Sequence, residues 1–159
     1  MPEAFTAACK RSAPGLDFRN EGISPDSEGD FDLVLCFDVF EHIEDYFSFL
    51  KNLRQIGRNF LFHIPLDMNA QMILRGEPIR RVREQVGHIH YFSKDSALAS
   101  LAQCGFTIRE HEYTRGSDSG CGTLKYKLMS LPRQVAFSVS ADHAVRILGG
   151  YSLLVWATA

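Results

Sequence analysis

The densest group of residues that could do chemistry lies in the stretch FDLVLCFDVFEHIED, residues 31–45. Asp38 directly follows an apolar run, and Glu41 and His42 stand three and four residues further on. Histidine is the side chain whose charge changes most readily near neutral pH, so Glu41 and His42 are candidates for an acid–base pair. The alternative is a structural pair that shapes the loop and the start of the next helix.

A second group of candidates lies in GHIHYFS, residues 87–93. His88 and His90 would share a face in an extended segment because side chains alternate along it. One of them could take a proton from a nucleophilic hydroxyl, or could be a hydrogen-bonded histidine that fixes the loop. No third ligand stands at a convincing spacing, so we expect no metal site. His63, inside an apolar run, is expected to be a satisfied core histidine.

Helices and strands alternate around these residues. The pattern predicts strands at 16–20, 32–37, 60–64, 106–113 and 151–158, and helices near the amino terminus, at 44–56, after Ser93 and after Ser140. Ser93 is expected to cap its helix, and Gly57 and Gly105 to end the helices before them. Residues 67–92 form an insertion with a weak helical period, and 115–122 form a loop.

This order predicts a single α/β domain over residues 1–159. Apolar strands alternating with helices indicate a largely parallel sheet covered by helices on both faces. Ligands bind such sheets beyond the carboxyl ends of the strands. Asp38 and the residues after it therefore stand where a site would form.

Composition excludes several functions. Residues 1–50 hold 3 Lys and Arg against 11 Asp and Glu, a balance that does not suit nucleic acid. No apolar run approaches the roughly 18 residues of a membrane span, and no secretory signal is apparent. The four cysteines are scattered without C-x-x-C spacing, which favours a reducing, cytoplasmic location.

The stretch at 31–45 resembles the segment after the fourth strand of class I S-adenosylmethionine-dependent methyltransferases. GHIHYFS, the capped helix, CGF at 104–106 and the closing strand are similar to their later part. The resemblance implies a Rossmann-like three-layer sandwich with strand order 3-2-1-4-5-7-6 and an antiparallel seventh strand. S-adenosylmethionine is the implied cofactor, and a small or lipid-like molecule the implied acceptor.

The resemblance also implies which residues serve the site. Phe37, Asp38, Val39 and His42 would face the cofactor, and His88 and His90 would line the acceptor pocket. Glu21, Gly22 and Ile23, after the first strand, would meet the adenine. Here Asn-Glu-Gly replaces the commoner Gly-Asp-Ala, so this last assignment is the weakest.

The family's Gly-rich E/D-x-G-x-G-x-G loop is not in this sequence, and no G-x-G-x-x-G replaces it. The chain looks like a methyltransferase that begins just before its third strand. The strand at 32–37 then lacks a neighbour, and an unpaired apolar edge invites pairing. We expect it to pair with residues 16–20 or with a second copy of the chain in a homodimer.

The sequence therefore predicts S-adenosylmethionine-dependent methyl transfer. The rival interpretation is a non-catalytic remnant or partner-binding domain that keeps the scaffold without the cofactor loop. An enzyme of another doubly wound family ranks third, because nothing here supplies its phosphate loop.

Overall fold

The computed structural model describes residues 2–11, 13–27, 29–115 and 133–159. The strands are β1 (Phe31–Phe37), β2 (Gly57–Pro65), β3 (Thr107–Arg115) and β4 (Tyr151–Thr158). The helices are α1 (Pro2–Cys9), α2 (Tyr46–Gln55), α3 (Ala70–Arg75), α4 (Glu77–Gln85), α5 (Lys94–Gln103), α6 (residues 133–139) and α7 (Ala141–Leu148). A short 3₁₀ turn, Phe40–His42, separates β1 from α2.

Local sequence accounts for the two helices that follow the candidate segments. Asp45 caps α2 by accepting the Ser48 N–H at 3.1 Å. Ser93 caps α5 in a reciprocal capping box with Ser96, which confirms the expected helix start. Gly105, at a φ of 91°, lies just beyond the end of α5, where a left-handed residue favours glycine.

The four strands form one sheet in the order β1-β2-β4-β3. β1 and β2 are parallel, whereas β4 is antiparallel to both of its neighbours. This is the order and direction expected for the last four strands of the resembled fold. Phe37 stands opposite His63, so β1 and β2 end level with each other.

One face of the sheet carries the core. The core side chains that β2 and β4 bury are Phe60, Phe62, Ile64, Tyr151, Leu153, Val155 and Ala157. Leu50 and Leu53 of α2 and Leu101 of α5 are buried in the same cluster. Phe40 lies at its edge, with its ring 5.0 Å from that of Phe92 and 6.4 Å from that of Phe62. The 3₁₀ turn is therefore anchored directly in the core.

On the other face, no helix of the described residues covers β1 and Trp156 of β4 as expected. Leu33, Leu35 and Phe37 are 54, 58 and 45% exposed, and Trp156 is 44% exposed. Leu35, Leu61 and Trp156 form one row across the sheet because they are register partners. We call the three β1 side chains and Trp156 the open apolar face.

The predicted strand at residues 16–20 was wrong. These residues have no regular secondary structure and pair with no strand, so β1 is an edge of the described sheet. A strand needs a partner for its backbone groups, and the one predicted, 32–37, pairs with β2 alone among the described residues. The expected re-pairing of the two segments is therefore not found.

The insertion at 67–92 folds back against the rim of the sheet. The Met68 N–H donates to the Phe92 carbonyl at 3.1 Å, which closes the segment at its base. The predicted loop at 115–122 begins at the last residue of β3, and the rest of it lies outside the described residues. Within the described ranges, no helix has the length and apolarity needed to cross a membrane.

Candidate functional site

A cleft of about 300 Å³ opens at the carboxyl ends of β1 and β2. Because β4 is antiparallel, its first residues lie at the same rim, and the insertion closes the remaining side. The residues that line the cleft include Asp38, His42, His63, Asp67, His88 and Tyr151. The position agrees with the expectation that ligands bind beyond the carboxyl ends of parallel strands.

Asp38 leaves β1 in an unusual conformation. Its φ is 51°, and among the described residues no other residue except glycine has a positive φ. Its N–H donates to the His63 carbonyl at 3.0 Å, and its Oδ1 lies 2.8 Å from His63 Nδ1. A carboxylate oxygen accepts, so Nδ1 of His63 donates to Asp38, and in the neutral ring Nε2 accepts from the Thr114 hydroxyl at 3.0 Å. His63 is therefore satisfied, as expected, but it lines the cleft.

Glu41 is buried completely. Neither carboxylate oxygen has a hydrogen-bond partner among the described residues. Burial raises the pKa of this carboxyl above its ordinary value, because desolvation disfavours the charged form. The Glu41 carbonyl accepts from the N–H groups of Ile89 and His90 at 2.9 and 3.1 Å, which ties the insertion to the 3₁₀ turn.

His42 and His88 meet in the cleft from distant parts of the sequence. Their rings lie edge to face with centroids 4.8 Å apart. His42 Nδ1 is 3.0 Å from the Gly87 carbonyl, and His88 Nδ1 is 2.6 Å from Asp67 Oδ2. The hydrogen bond to Asp67 raises the pKa of His88 more than burial lowers it. Both Nδ1 atoms donate to oxygens, so in the neutral form of each ring Nε2 is the acceptor nitrogen.

His90 lies outside the cleft. Its Nε2 donates to the carbonyls of Ile43 and Glu44 at 3.0 and 3.2 Å, and its ring lies 4.8 Å from that of Tyr46. His88 lines the cleft and His90 does not, so the two histidines do not serve one pocket as expected. The contacts of His90 are those of a histidine that fixes a loop.

The other predicted cofactor residues are divided between the two ends of β1. Phe37 and Val39 flank Asp38, and the Phe37 ring lies 6.0 Å from that of His63. Glu21, Gly22 and Ile23 line a separate, open cavity with Phe31 and Ile56, at the start of β1. The structure therefore does not bring residues 21–23 to the cleft.

Sequence reasoning did not identify Asp67 as a site residue, and it did not place His63 in the cleft. Asp67 follows the buried run FLFHI by three residues, so the rule that places sites at strand ends could have identified it. No comparable rule could have predicted from the sequence that His88 lies beside Glu41 and His42. It depends on how the insertion folds back, which no local spacing reveals.

A family model described as a methyltransferase domain matches residues 5–111, more than half of the chain. The chain belongs to this methyltransferase family. No curated protein matches the sequence at a significant level.

Solved structures show the same fold as this methyltransferase domain. A chain of the Haloferax volcanii complex between the Trm112 methyltransferase activator and a methyltransferase aligns with a TM-score of 0.61 and 13% identity. That alignment covers 96% of this chain and 66% of the other. A Listeria monocytogenes protein assigned as an S-adenosylmethionine-dependent methyltransferase gives 0.51 and 15%, covering 96% and 72%.

A Bacillus halodurans protein assigned as a methyltransferase gives a TM-score of 0.50 and 17% identity, with 85% of this chain and 67% of that chain covered. At these identities the likeness shows the fold. This methyltransferase domain spans roughly two thirds of the length of the Haloferax and Bacillus chains.

Proposed function

We propose that this domain takes part in S-adenosylmethionine-dependent methyl transfer to a small-molecule or lipid-like acceptor. The observation that carries the proposal is a polar cleft at the carboxyl ends of β1 and β2, in a chain of the methyltransferase family. S-adenosylmethionine supplies an electrophilic methyl group on a sulfonium. The protein then contributes alignment and the exclusion of water.

The charges of the cleft suit a cationic cofactor. Asp38 and Asp67 line it, and Glu41 lies buried beside it. Carboxylates placed around a sulfonium and an ammonium group attract both. We assign Phe37, Asp38, Val39 and His42 to this side of the cofactor. Glu21, Gly22 and Ile23 lie near the start of β1, at the opposite end of the strand from the cleft, so they are not part of this cofactor site.

His88 is the proposed contact to the acceptor. Asp67 holds its Nδ1, so the ring is fixed with Nε2 free. An imidazole held in this way is suited to contact a hydroxyl or amine and to accept its proton. We give His90 a positioning role, since its hydrogen bonds to two carbonyls hold the loop that carries His88.

The acceptor side includes apolar surface from Leu66, Val86 and Tyr151, which supports a small or lipid-like acceptor. The arginines of α4 support an anionic acceptor less well than their number suggests. Arg80 pairs with Glu84, and Arg81 with Glu77, at exposed i,i+4 positions. These pairs largely neutralise that helix.

We also propose a cytoplasmic location. Cys9, Cys36 and Cys104 are free thiols in the described chain. Burial raises the pKa of Cys36 to about 12, so its thiol stays protonated and unreactive at neutral pH. Unpaired, scattered thiols are typical of proteins in reducing compartments.

Binding of S-adenosylmethionine tests the function directly. Isothermal titration calorimetry of the chain with S-adenosylmethionine and S-adenosylhomocysteine should show saturable, one-to-one binding. Asp38→Asn keeps the shape and the tolerance for positive φ but removes the charge. We expect it to weaken binding about tenfold, the effect of losing one charge-assisted interaction.

Asp32→Asn is the matched control, since it removes an exposed carboxylate from the same strand near its opposite end. It should leave the affinity unchanged. An absence of saturable binding to either compound would contradict the proposal for this chain, as would an equal loss in both variants.

The open apolar face favours a second candidate function, a scaffold that binds a protein partner. Leu33 and Leu35 are both more than half exposed on β1, an edge strand of the described sheet. Exposed apolar surface of this kind marks interaction sites. Self-association without cofactor binding would favour this candidate over methyl transfer.

A further inference from the structure

The fully buried Glu41 carboxylate lacks a counter-charge in direct contact. Its nearest basic group in the described chain is His42, whose Nε2 is 4.0 Å from Glu41 Oε1. An unpaired buried carboxylate is costly, and buried charges in proteins are normally paired or bind metal ions. The position therefore calls for a cation that the side chains around it do not supply.

Three potential ligands of two types, one carboxylate and two imidazoles, converge on this position. One donor atom from each of Glu41, His42 and His88 lies within 4.8 Å of the other two. Two donors about 2.1 Å from a tetrahedral ion lie roughly 3.4 Å apart. A small rotation of the side chains is therefore enough to bring the three donors into coordination.

The hydrogen bonds around the two imidazoles favour the same use. His88 Nδ1 donates to the Asp67 carboxylate, and His42 Nδ1 donates to the Gly87 carbonyl. Histidines that bind metal ions almost always donate their other N–H to a carboxylate or a backbone carbonyl. Here both arrangements are present, and each leaves Nε2 as the ring nitrogen available to a metal ion.

Residue spacing alone led us to expect no metal site. On the grouping found in the structure we instead propose that Glu41, His42 and His88 form a binding site for one divalent transition-metal ion. Two imidazoles and one carboxylate favour ions such as Zn²⁺, Co²⁺, Mn²⁺ or Fe²⁺ over Mg²⁺ and Ca²⁺, which prefer oxygen ligands. Asp38 and His63 bind each other and stand outside the ligand set. The metal-site proposal does not depend on methyl transfer. When an ion is bound, His88 Nε2 is a ligand and does not accept a proton from the methyl acceptor.

The test uses the purified chain after removal of metal with a chelator. Titration with Co²⁺ should give visible absorption bands of a site with nitrogen ligands, with one ion per chain. Zn²⁺ should compete for the same site. A hundredfold excess of Zn²⁺ over its dissociation constant should raise the melting temperature by about 5–10 °C.

The variants Glu41→Gln and His88→Gln should each weaken Co²⁺ binding at least tenfold, the usual effect of removing one ligand. His111→Gln is the matched control, because His111 is exposed on β3 away from the cleft. Equal weakening by His111→Gln would overturn the proposal, and so would unchanged binding in both cleft variants.

A second measurement uses the unaltered chain, in case a variant fails to fold. Long-range ¹H–¹⁵N spectra should show the Nε2 resonances of His42 and His88 shifting on addition of Zn²⁺, while those of His90 stay in place. Shifts confined to other histidines, or binding of Mg²⁺ and Ca²⁺ without Zn²⁺ or Co²⁺, would contradict the assignment. None of these readouts needs S-adenosylmethionine, so failure here is distinct from failure of the proposed function.

Discussion

At the scale of single residues, Asp38 combines a functional position with a costly backbone. A positive φ brings Cβ close to the following carbonyl, which costs about 1–2 kcal/mol for most side chains. Aspartate tolerates the conformation better than most because its short polar side chain can bind locally. The contacts with His63 at both the backbone and the carboxylate hold the residue there. Strain of this kind clusters at functional sites.

Substitution of Asp38 separates the backbone cost from the charge. Asp38→Val should lower the free energy of unfolding by about 2 kcal/mol or more, because a β-branched side chain is strongly disfavoured at positive φ. Asp38→Asn should lower it by less than about 1 kcal/mol. Urea unfolding followed by circular dichroism measures both.

Asp32→Val is the control for the first substitution, since it places the same side chain in the same strand at an extended, exposed position. We expect it to be neutral or slightly stabilising, as valine suits strands. If Asp38→Val proved as stable as Asp32→Val, the result would contradict the conclusion that the backbone of Asp38 is strained.

At the scale of elements, one carboxylate of α7, that of Asp142, contacts both α5 and β3. Asp142 Oδ1 accepts from Lys94 Nζ of α5 at 2.5 Å and from the Tyr113 hydroxyl of β3. These hydrogen bonds, that from Lys94 first, lower the pKa of Asp142 to about 2. Arg146 of the same helix pairs with Asp95 of α5 at 2.7 Å. The buried residues Ala144 and Val145 complete the contact.

The lowered pKa of Asp142 predicts a pH-dependent contribution to stability. The folded form binds this proton less tightly than the unfolded chain, so the contribution is present above the ordinary pKa of 3.8 and is lost as pH falls towards about 2. Asp142→Asn should lower the melting temperature by about 2–4 °C at pH 7, corresponding to about 1 kcal/mol for a partly exposed pair. The difference from the unaltered chain should shrink below pH 4.

Differential scanning calorimetry from about pH 2, the lowered pKa, to about pH 7, well above the ordinary value of 3.8, measures this difference. Glu84→Gln serves as the control, because Glu84 pairs with Arg80 within one exposed helix. It should change the melting temperature much less. A constant difference across the pH range would contradict the assigned role of Asp142.

The elements that sequence could predict are those with local causes. The apolar runs predicted β1, β2 and β4. Ser93 predicted the start of α5 because its capping box involves only residues 93–96. The strand predicted at residues 16–20 was wrong because a strand depends on a pairing partner, which the local sequence pattern does not supply. Asp38, His42 and His88 were identified by type and position. Their meeting with Glu41 depends on the fold of the insertion, and the isolation of Glu41 depends on the surrounding core.

At the scale of the whole molecule, the sheet has one packed face and one open face. β1 pairs on one side with β2, and its other edge has no strand beside it in the described chain. Backbone groups at an unpaired edge and apolar side chains beside it both favour association with another chain. The prediction of a homodimer through β1 therefore remains, and it is part of our proposal for this chain.

Leu35 is the residue best placed to test this association. It is 58% exposed at the centre of the open apolar face, so Leu35→Lys should leave the fold intact while placing a charge in the proposed interface. Light scattering coupled to size-exclusion chromatography should show a dimer for the unaltered chain at tens of micromolar and a monomer for Leu35→Lys. Leu74→Lys is the matched control, because Leu74 is 86% exposed on α3, away from the sheet. Leu74→Lys should remain dimeric, and a monomeric unaltered chain across the concentration range would show that β1 is not an interface.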